Sequence, residues 1–285
     1  MAEPVRFLVI DGYSKEARDE LVGGGASMAA DLYVRMLSNC LPGAHCDVLF
    51  ASDPDSALPT GASIEQYDGI AWTGCSLTIF DDDPRVTAQI EIARRAYERG
   101  VPSFGSCWGI QMAVFAVGGT VRPHPCGREM GIARKIQLTP EGRAHPMYEG
   151  KPSVFDGFIS HVDEVTHLPP GAVHLASNAF THVQAAAVTH KSGTFWGLQY
   201  HPEYDLREMA RLTFCRIEKL IEGGFFRDRA GALAHVEKLE LLHENPDRED
   251  LAWSLGIDDD LMNESVRQLE VRNWIHRLVL PRICR

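Results

Sequence analysis

Short apolar runs alternate with helical stripes of apolar residues along the first half of the chain. Four apolar runs predict buried strands: Val5–Gly12, Cys46–Ala51, Asp68–Gly74 and Val101–Gly105. Helical spacing, or a proline suited to a first helical turn, predicts three helices: Ala29–Cys40, Pro84 to about Arg99, and Trp108–Val117. Because strands that alternate with helices form parallel sheets, we expect an α/β fold with a mostly parallel central sheet and helices on both faces. Such sheets bind ligands at the carboxyl ends of their strands.

The segments outside these elements follow other patterns. Tyr13–Ala26 is polar and contains three consecutive glycines, which predicts a loop, and Ser27 predicts the N-cap of the next helix. Residues 119–204 are rich in Pro, Gly, Thr and Val and lack a helical period. We therefore expect an extension of short antiparallel strands that returns to the sheet at Phe195–Tyr200. An apolar stripe predicts a helix at Leu206–Glu222.

The C-terminal part of the chain has the pattern of helices only. Val271, Trp274 and Ile275, for example, fall on one helical face. We expect a domain at residues 1–224 and a helical extension at residues 225–285. The extension is either a cap on the core or a surface for a partner or a second copy of the chain. Apolar helix stripes usually pack within their own chain, which favours the cap.

The composition limits the partners and the compartment. The 285-residue chain has a net charge of −11 at pH 7, which argues against nucleic acid or an anionic membrane as the main partner. No apolar run approaches the roughly 20 residues that a membrane-spanning helix needs, and the first residues lack a signal-peptide pattern. The seven cysteines are odd in number and include no C-x-x-C pair. We therefore expect reduced thiols and a cytoplasmic protein.

One cysteine lies in the setting of a nucleophile. Cys107 stands where a predicted strand runs into a predicted helix, and Gly105 and Gly109 flank it two residues away on each side. A nucleophile on such a sharp turn needs small residues at these positions to avoid clashes. The helix N-terminus favours the thiolate, and the amide of Trp108 is expected to point toward the same space as the sulfur. The alternative is a structural cysteine in a glycine-flanked turn.

A second motif follows the last predicted strand, at His201-Pro202-Glu203. Residues two apart in extended chain face the same way, so the imidazole and the carboxylate can approach one site together. Pro202 favours this extended geometry at His201. A thiol nucleophile needs such a proton-transfer group, and a carboxylate holds the imidazole in one tautomer. Taken alone, a structural histidine at a strand end is the more common explanation.

Together the two motifs resemble the class I glutamine amidotransferases. The resemblance covers about Val5–Ile221 and is strongest to stand-alone proteins similar to the glutaminase domain of GMP synthase. Trp72–Ser76 occupies the place of the family's oxyanion loop, and Phe158–Asp163 resembles its Ser-His-x-Asp stretch. Gln111 matches a position that helps to hold glutamine. The resemblance implies a flavodoxin-like fold.

The resemblance also implies a mechanism without a metal or another cofactor. Cys107 would attack the side-chain amide of glutamine, His201 would move the protons, and Glu203 would orient His201. Six further residues are expected to hold the oxyanion or to line the glutamine pocket: Gly74, Cys75, Trp108, Gln111, Ser160 and His161. Glu129 is expected at the border of this pocket.

The oxyanion loop departs from the family at Cys75, where a second glycine is usual. If this position requires a positive φ, a cysteine is strained there, and the loop rearranges on binding or the pocket takes a substrate other than free glutamine. The main hypothesis is a glutaminase that passes ammonia to a separate synthetase subunit, since the sequence has no recognisable ATP-binding motif. The alternative is a stand-alone γ-glutamyl peptidase or hydrolase. A catalytically silent regulatory subunit is a third hypothesis, and the presence of all three catalytic residue types argues against it.

Overall fold

A large mixed sheet forms the centre of the structure, a computed structural model that describes residues 4–59 and 61–283. In chain order the strands are β1 (Arg6–Asp11), β2 (His45–Phe50), β3 (Gly69–Trp72), β4 (Ser103–Ser106), β5 (Thr120–Pro123), β6 (Glu129–Leu138), β7 (Val154–His161), β8 (Asp163–His167), β9 (Ala172–Ser177), β10 (Ala185–His190) and β11 (Gly193–Leu198). Nine of the described strands form one sheet in the order β2-β1-β3-β4-β11-β10-β9-β6-β7, while β5 pairs with β8. The pairs between β2 and β11 in this order are parallel and those from β11 to β7 antiparallel, which confirms the predicted fold class.

Helices surround this sheet and make up most of the C-terminal part. They are α1 (Lys15–Gly23), α2 (Ala29–Cys40), α3 (Pro84–Arg99), α4 (Trp108–Ala116), α5 (Pro140–Ala144), α6 (Leu206–Cys215), α7 (Ile217–Glu222), α8 (Arg229–Glu244), α9 (Glu249–Leu255), α10 (Asp259–Met262), α11 (Glu264–Arg267), α12 (Leu269–Trp274) and α13 (Leu280–Ile283). None of the helices in the described ranges is long and apolar enough to cross a membrane.

Three local predictions were wrong. The segment expected to be a loop contains α1, whose first turn is capped when the Ala17 amide donates to the Ser14 side chain. Ser27 does not cap α2, because the N-cap residue is Met28, whose side chain makes no cap hydrogen bond. The Ser27 amide donates to the Glu208 carboxylate. The helix expected at Leu206–Glu222 is interrupted at Arg216 and forms α6 and α7.

The C-terminal extension packs into the same core as the sheet. The Trp274 ring of α12 is fully buried, with centroids 5.5 Å from Phe7 of β1 and 5.8 Å from Phe104 of β4. A side chain at Gly69 would lie only 2.8 Å from this indole, so the glycine makes the close approach possible. Farther along the sheet, Leu239 of α8 packs with Leu212 of α6 in a separate apolar cluster.

The parallel strands determine where the functional residues meet. Because β1, β3, β4 and β11 run in the same direction, their carboxyl ends lie at one edge of the sheet. The ends of β4 and β11 are direct neighbours, since Ser106 pairs with Leu198. The residues that follow these two strands, Cys107 and residues 199–203, are therefore brought together although they are far apart in the sequence.

Candidate active site

Cys107 lies at a strained turn between β4 and α4. Its φ is 51° and its ψ is −100°, a conformation that costs a residue with a side chain about 1–3 kcal/mol. The Cys107 amide donates to the Leu198 carbonyl at 2.7 Å, which ties the turn to β11. A Cβ atom at Gly105 would lie 2.9 Å from the Cβ of Trp72 and 3.0 Å from the Cα of Gly109. The predicted need for a small residue before the turn is confirmed.

His201 and Glu203 form a buried pair beside this turn. The His201 Nδ1 lies 2.7 Å from the Glu203 Oε1, and the imidazole stacks on the Tyr204 ring at 4.0 Å. The Nε2 of His201 is buried and has no hydrogen-bond partner among the described residues. A Cβ atom at Gly74 would lie 3.2 Å from the His201 Cε1 and 3.9 Å from the Cys107 Cβ, so the ring and the thiol side chain flank Gly74 closely.

The charge state of His201 follows from its neighbours. Burial alone lowers the pKa of an imidazole, but the Glu203 carboxylate and the contact with Cys107 outweigh this effect and raise the pKa of His201 to about 9. His201 therefore carries a proton at neutral pH, and the pair can donate that proton to a group bound in the site.

Two further side chains hold Glu203 in place. The Ser106 hydroxyl donates to the Glu203 Oε1 at 2.9 Å, and the Tyr33 hydroxyl donates to the Ser106 Oγ at 2.7 Å. The Ser106 amide in turn donates to the Tyr33 hydroxyl at 2.9 Å. Neither residue was predicted from the sequence. A polar serine at the end of an apolar strand is a signal for Ser106, whereas Tyr33 looks like an ordinary core residue of α2.

The loop after β3 accommodates Cys75 without backbone strain. The described non-glycine residues with a positive φ do not include Cys75, so the condition for a strained cysteine is not met. Its thiol donates to the Gly12 carbonyl at 2.9 Å, and burial raises the pKa of the Cys75 thiol, which keeps it neutral. In the part of the chain that the structure describes, the amides of Gly74, Cys75 and Trp108 donate no hydrogen bond. The oxyanion role expected for these amides therefore meets no competing hydrogen bond among the described residues.

A cavity of about 310 Å³, the Cys107 pocket, opens beside these residues and is lined by Cys107, His201, residues 75–78 and residues 160–163. The backbone carbonyl of Ser160 lies 3.6 Å from the Cys107 Sγ. Gln111 also lines the pocket, and its amide Nε2 donates to the Asp163 carbonyl at 2.7 Å.

His161 and Glu129 form a polar network behind the pocket. The His161 Nε2 lies 3.0 Å from the Glu129 carboxylate, and the His161 Nδ1 lies 2.9 Å from the Asp163 carbonyl. Glu129 also accepts hydrogen bonds from Asn178 and Thr181 at 2.8 Å each. Burial alone would raise the pKa of Glu129, but these hydrogen bonds outweigh it and lower the pKa. The network holds residues 160–163 in position, and no cluster of described side chains is arranged to hold a metal ion.

Positive side chains of the pocket were not found from the sequence. Arg128, Arg216 and Lys219 all line it. Arg128 precedes β6, Arg216 separates α6 from α7, and Lys219 belongs to α7. None of them is part of a motif, and only the tertiary fold brings them to Cys107. The Asp163 carboxylate also lines the pocket, and burial raises the pKa of Asp163.

The chain is similar to several known proteins. The family model described as glutamine amidotransferase class-I matches residues 62–218. A γ-glutamyl-L-1-hydroxyisopropylamide hydrolase from Pseudomonas sp. is 34% identical over 98% of this chain and 95% of its own length. A glutamine-hydrolysing GMP synthase from Thermosipho africanus is 33% identical over 51% of this chain and only 27% of its own length. Among solved structures, a glutamine amidotransferase from Thermotoga maritima has a TM-score of 0.68 at 17% identity, covering 98% of this chain and 99% of its own.

Proposed function

The chain belongs to the class-I glutamine amidotransferase family, and on that premise we propose that it hydrolyses γ-glutamyl amides through a thioester on Cys107. The observation that carries the proposal is the convergence of Cys107 with the His201–Glu203 pair at one pocket. The Pseudomonas relative, whose name specifies hydrolysis of a γ-glutamyl amide, matches nearly the whole chain, whereas the GMP synthase matches about half of it. Glutamine is the simplest member of this substrate class.

In the first half of the proposed reaction, Cys107 attacks the γ-carbonyl carbon of the substrate as the thiolate and forms the C–S bond. The carbonyl oxygen becomes an oxyanion, for which the free amides of Gly74, Cys75 and Trp108 are suitable donors. His201, protonated at neutral pH, gives its proton to the leaving nitrogen as the C–N bond breaks. A γ-glutamyl thioester and a free amine, or ammonia from glutamine, result.

In the second half, water replaces the amine. The neutral imidazole of His201 takes a proton from water, and the resulting hydroxide attacks the thioester carbon. The C–S bond breaks, glutamate leaves, and the thiolate and imidazolium are restored. Glu203 orients the ring and stabilises its positive charge throughout.

The leaving group distinguishes the two activities that the sequence left open. We favour a stand-alone hydrolase over a glutaminase that serves a synthetase subunit, because the Pseudomonas relative has a similar length and matches the C-terminal extension as well. A synthetase partner or a homo-oligomer would add to this activity without changing its chemistry. The described cysteines are free thiols, and we propose a cytoplasmic, reducing location for the enzyme.

The proposal is tested by incubating the purified protein with glutamine, a γ-glutamyl alkylamide and γ-glutamylglycine. We expect glutamate to form together with an equal amount of the free amine, measured by chromatography. Release of ammonia from glutamine only when a cell extract is added would favour the glutaminase with a separate partner. Absence of glutamate from every substrate, in the presence and absence of extract, would refute the proposed function.

The pH dependence of the rate tests the role of His201. We expect kcat/KM to fall as the pH rises through about 9, because His201 then loses the proton that the leaving amine needs. Glu203→Gln removes the charge that raises the pKa of His201. This change should move the alkaline decline to lower pH and reduce kcat/KM at neutral pH roughly 10²-fold. The control is Glu98→Gln on the surface of α3, and an identical pH profile in both variants would contradict the assigned role.

A further inference from the structure

Two arginines converge on one hydroxyl group in the Cys107 pocket. The Arg216 Nη1 donates to the Ser160 Oγ at 2.9 Å, and the Arg128 Nη1 lies 3.4 Å from the same oxygen. Both arginines and Ser160 line the cavity that contains Cys107. The Ser160 hydroxyl is neutral and cannot neutralise the positive charges of two guanidinium groups.

No carboxylate pairs directly with either arginine, and Asp163, which lines the same pocket, acts on Arg128 only at longer range. Among residues 4–59 and 61–283, no carboxylate oxygen lies within 4.0 Å of the guanidinium nitrogens of Arg128 or Arg216. Arg18, by contrast, is largely buried and is paired with Asp53 at 2.7 Å. Burial, and to a lesser extent the proximity of Arg216, lower the pKa of Arg128, which reflects the cost of burying this cation beside a second one. A bound anion would offset that cost.

We infer that Arg128 and Arg216 form a carboxylate subsite for the γ-glutamyl substrate, an inference that rests on the proposed function. Planar guanidinium groups bind carboxylates with paired hydrogen bonds, and two of them here share one pocket. Lys219 lines the same pocket and adds a third positive charge, while Asp163 is the carboxylate available for an ammonium group.

The subsite lies within reach of the reacting carbon. Ser160 connects the two places, because its carbonyl lies 3.6 Å from the Cys107 Sγ while its hydroxyl accepts the hydrogen bond from Arg216. In a γ-glutamyl group, two methylene carbons and the α-carbon separate the reacting carbonyl from the α-carboxylate. A leaving amino acid places a second carboxylate at a comparable distance on the other side. Either carboxylate has the chemistry that this subsite binds, and the substrates below distinguish them.

The test compares Arg128→Met and Arg216→Met with the control Arg99→Met. Arg99 is exposed at the end of α3, and its substitution removes the same charge. Glutamine and a γ-glutamyl alkylamide carry only the α-carboxylate, whereas γ-glutamylglycine carries a second carboxylate on its leaving group. Loss of a charged hydrogen bond predicts a KM about 10- to 100-fold higher in the two pocket variants, with a smaller change in kcat. A higher KM for all three substrates would show that the subsite binds the α-carboxylate. A higher KM for γ-glutamylglycine alone would show that the subsite binds the carboxylate of the leaving group.

Arg128→Lys and Arg216→Lys provide a second measurement, because lysine keeps the charge and loses the planar fork. We expect KM values between those of the wild type and the methionine variants, and these variants decide the question if a methionine variant does not fold. KM values within twofold of the wild type in all four folded variants would overturn the inference.

Binding separates this inference from the proposed function. The probes are glutamate and γ-glutamylglycine, titrated by calorimetry into Cys107→Ala protein with and without each arginine substitution. Weaker binding of either probe in the arginine variants supports the subsite whether or not the wild type turns over any substrate. Absence of turnover in the wild type with intact probe binding would refute only the hydrolase. Turnover in the wild type, with probe binding unaffected by the substitutions, would refute only the subsite.

Discussion

Replacing Cys107 with alanine should lower kcat/KM for a γ-glutamyl amide by roughly 10⁴-fold or more, because no other group can form the acyl intermediate. The residual activity would come from binding and from the oxyanion donors alone. The fold should persist, since alanine removes only the sulfur atom and keeps the same strained backbone at this turn. Turnover is measured as amine release, and the fold by circular dichroism and thermal unfolding.

Cys40→Ala is the matched control for this variant. Cys40 and Cys107 have the same exposed fraction, 7%, but Cys40 lies on α2 with its thiol near Gln268. We expect the Cys40 variant to retain wild-type kcat/KM. Mass spectrometry of the wild type quenched during turnover should locate the γ-glutamyl adduct on Cys107. An adduct on another cysteine, or a Cys107 variant within tenfold of the wild-type rate, would exclude the proposed nucleophile.

The Cys107 turn could be predicted from the sequence because its steric requirements are local. A nucleophile on a tight turn leaves no space for a side chain two residues before it. Gly105 meets this requirement, and a glycine at this position is visible in the sequence. The contact between His201 and Glu203 was likewise predicted from their two-residue spacing, although the structure places Pro202 and Glu203 in a turn after β11 rather than in extended chain. Short-range geometry of this kind leaves a recognisable pattern without knowledge of the fold.

The arginine pair depends instead on long-range strand pairing. Arg128 reaches Ser160 because β6 pairs with β7 in a register that places Glu129 opposite His161. Arg216 contacts the same serine from the point where the helix after the last strand is interrupted. Neither the register nor the interruption has a local signal, so the sequence analysis could not assign these cations to the site.

Helix α1 was missed for an energetic reason. The helix has few apolar residues on one side, and the residue that it buries is Arg18. The side chain of Arg18 pairs with Asp53 and donates to the Tyr13 carbonyl, so polar contacts hold the helix where an apolar stripe is usual. The apolar periodicity on which helix prediction depends is therefore absent.

Glu270→Ala should lower the free energy of unfolding by about 3–5 kcal/mol, because it leaves a buried cation without its partner. The Glu270 side chain is fully buried on α12 and lies 3.1 Å from the Lys151 Nζ, whose side chain is 2% exposed. Glu270 also accepts a hydrogen bond from the Tyr200 hydroxyl at 2.6 Å. Since Tyr200 directly precedes His201, this contact joins the C-terminal extension to the segment that carries the candidate catalytic pair. Urea unfolding followed by circular dichroism measures the change.

Two comparisons identify the cause of that loss. Asp19→Ala removes one partner of the exposed Lys15–Asp19 pair, whose side chains are 69% and 68% exposed, and should change stability by less than about 0.5 kcal/mol. Lys151→Met combined with Glu270→Leu removes both buried charges and should be less destabilising than Glu270→Ala alone. A loss below about 1 kcal/mol for Glu270→Ala, or a double variant as unstable as the single one, would show that the buried pair does not anchor the extension.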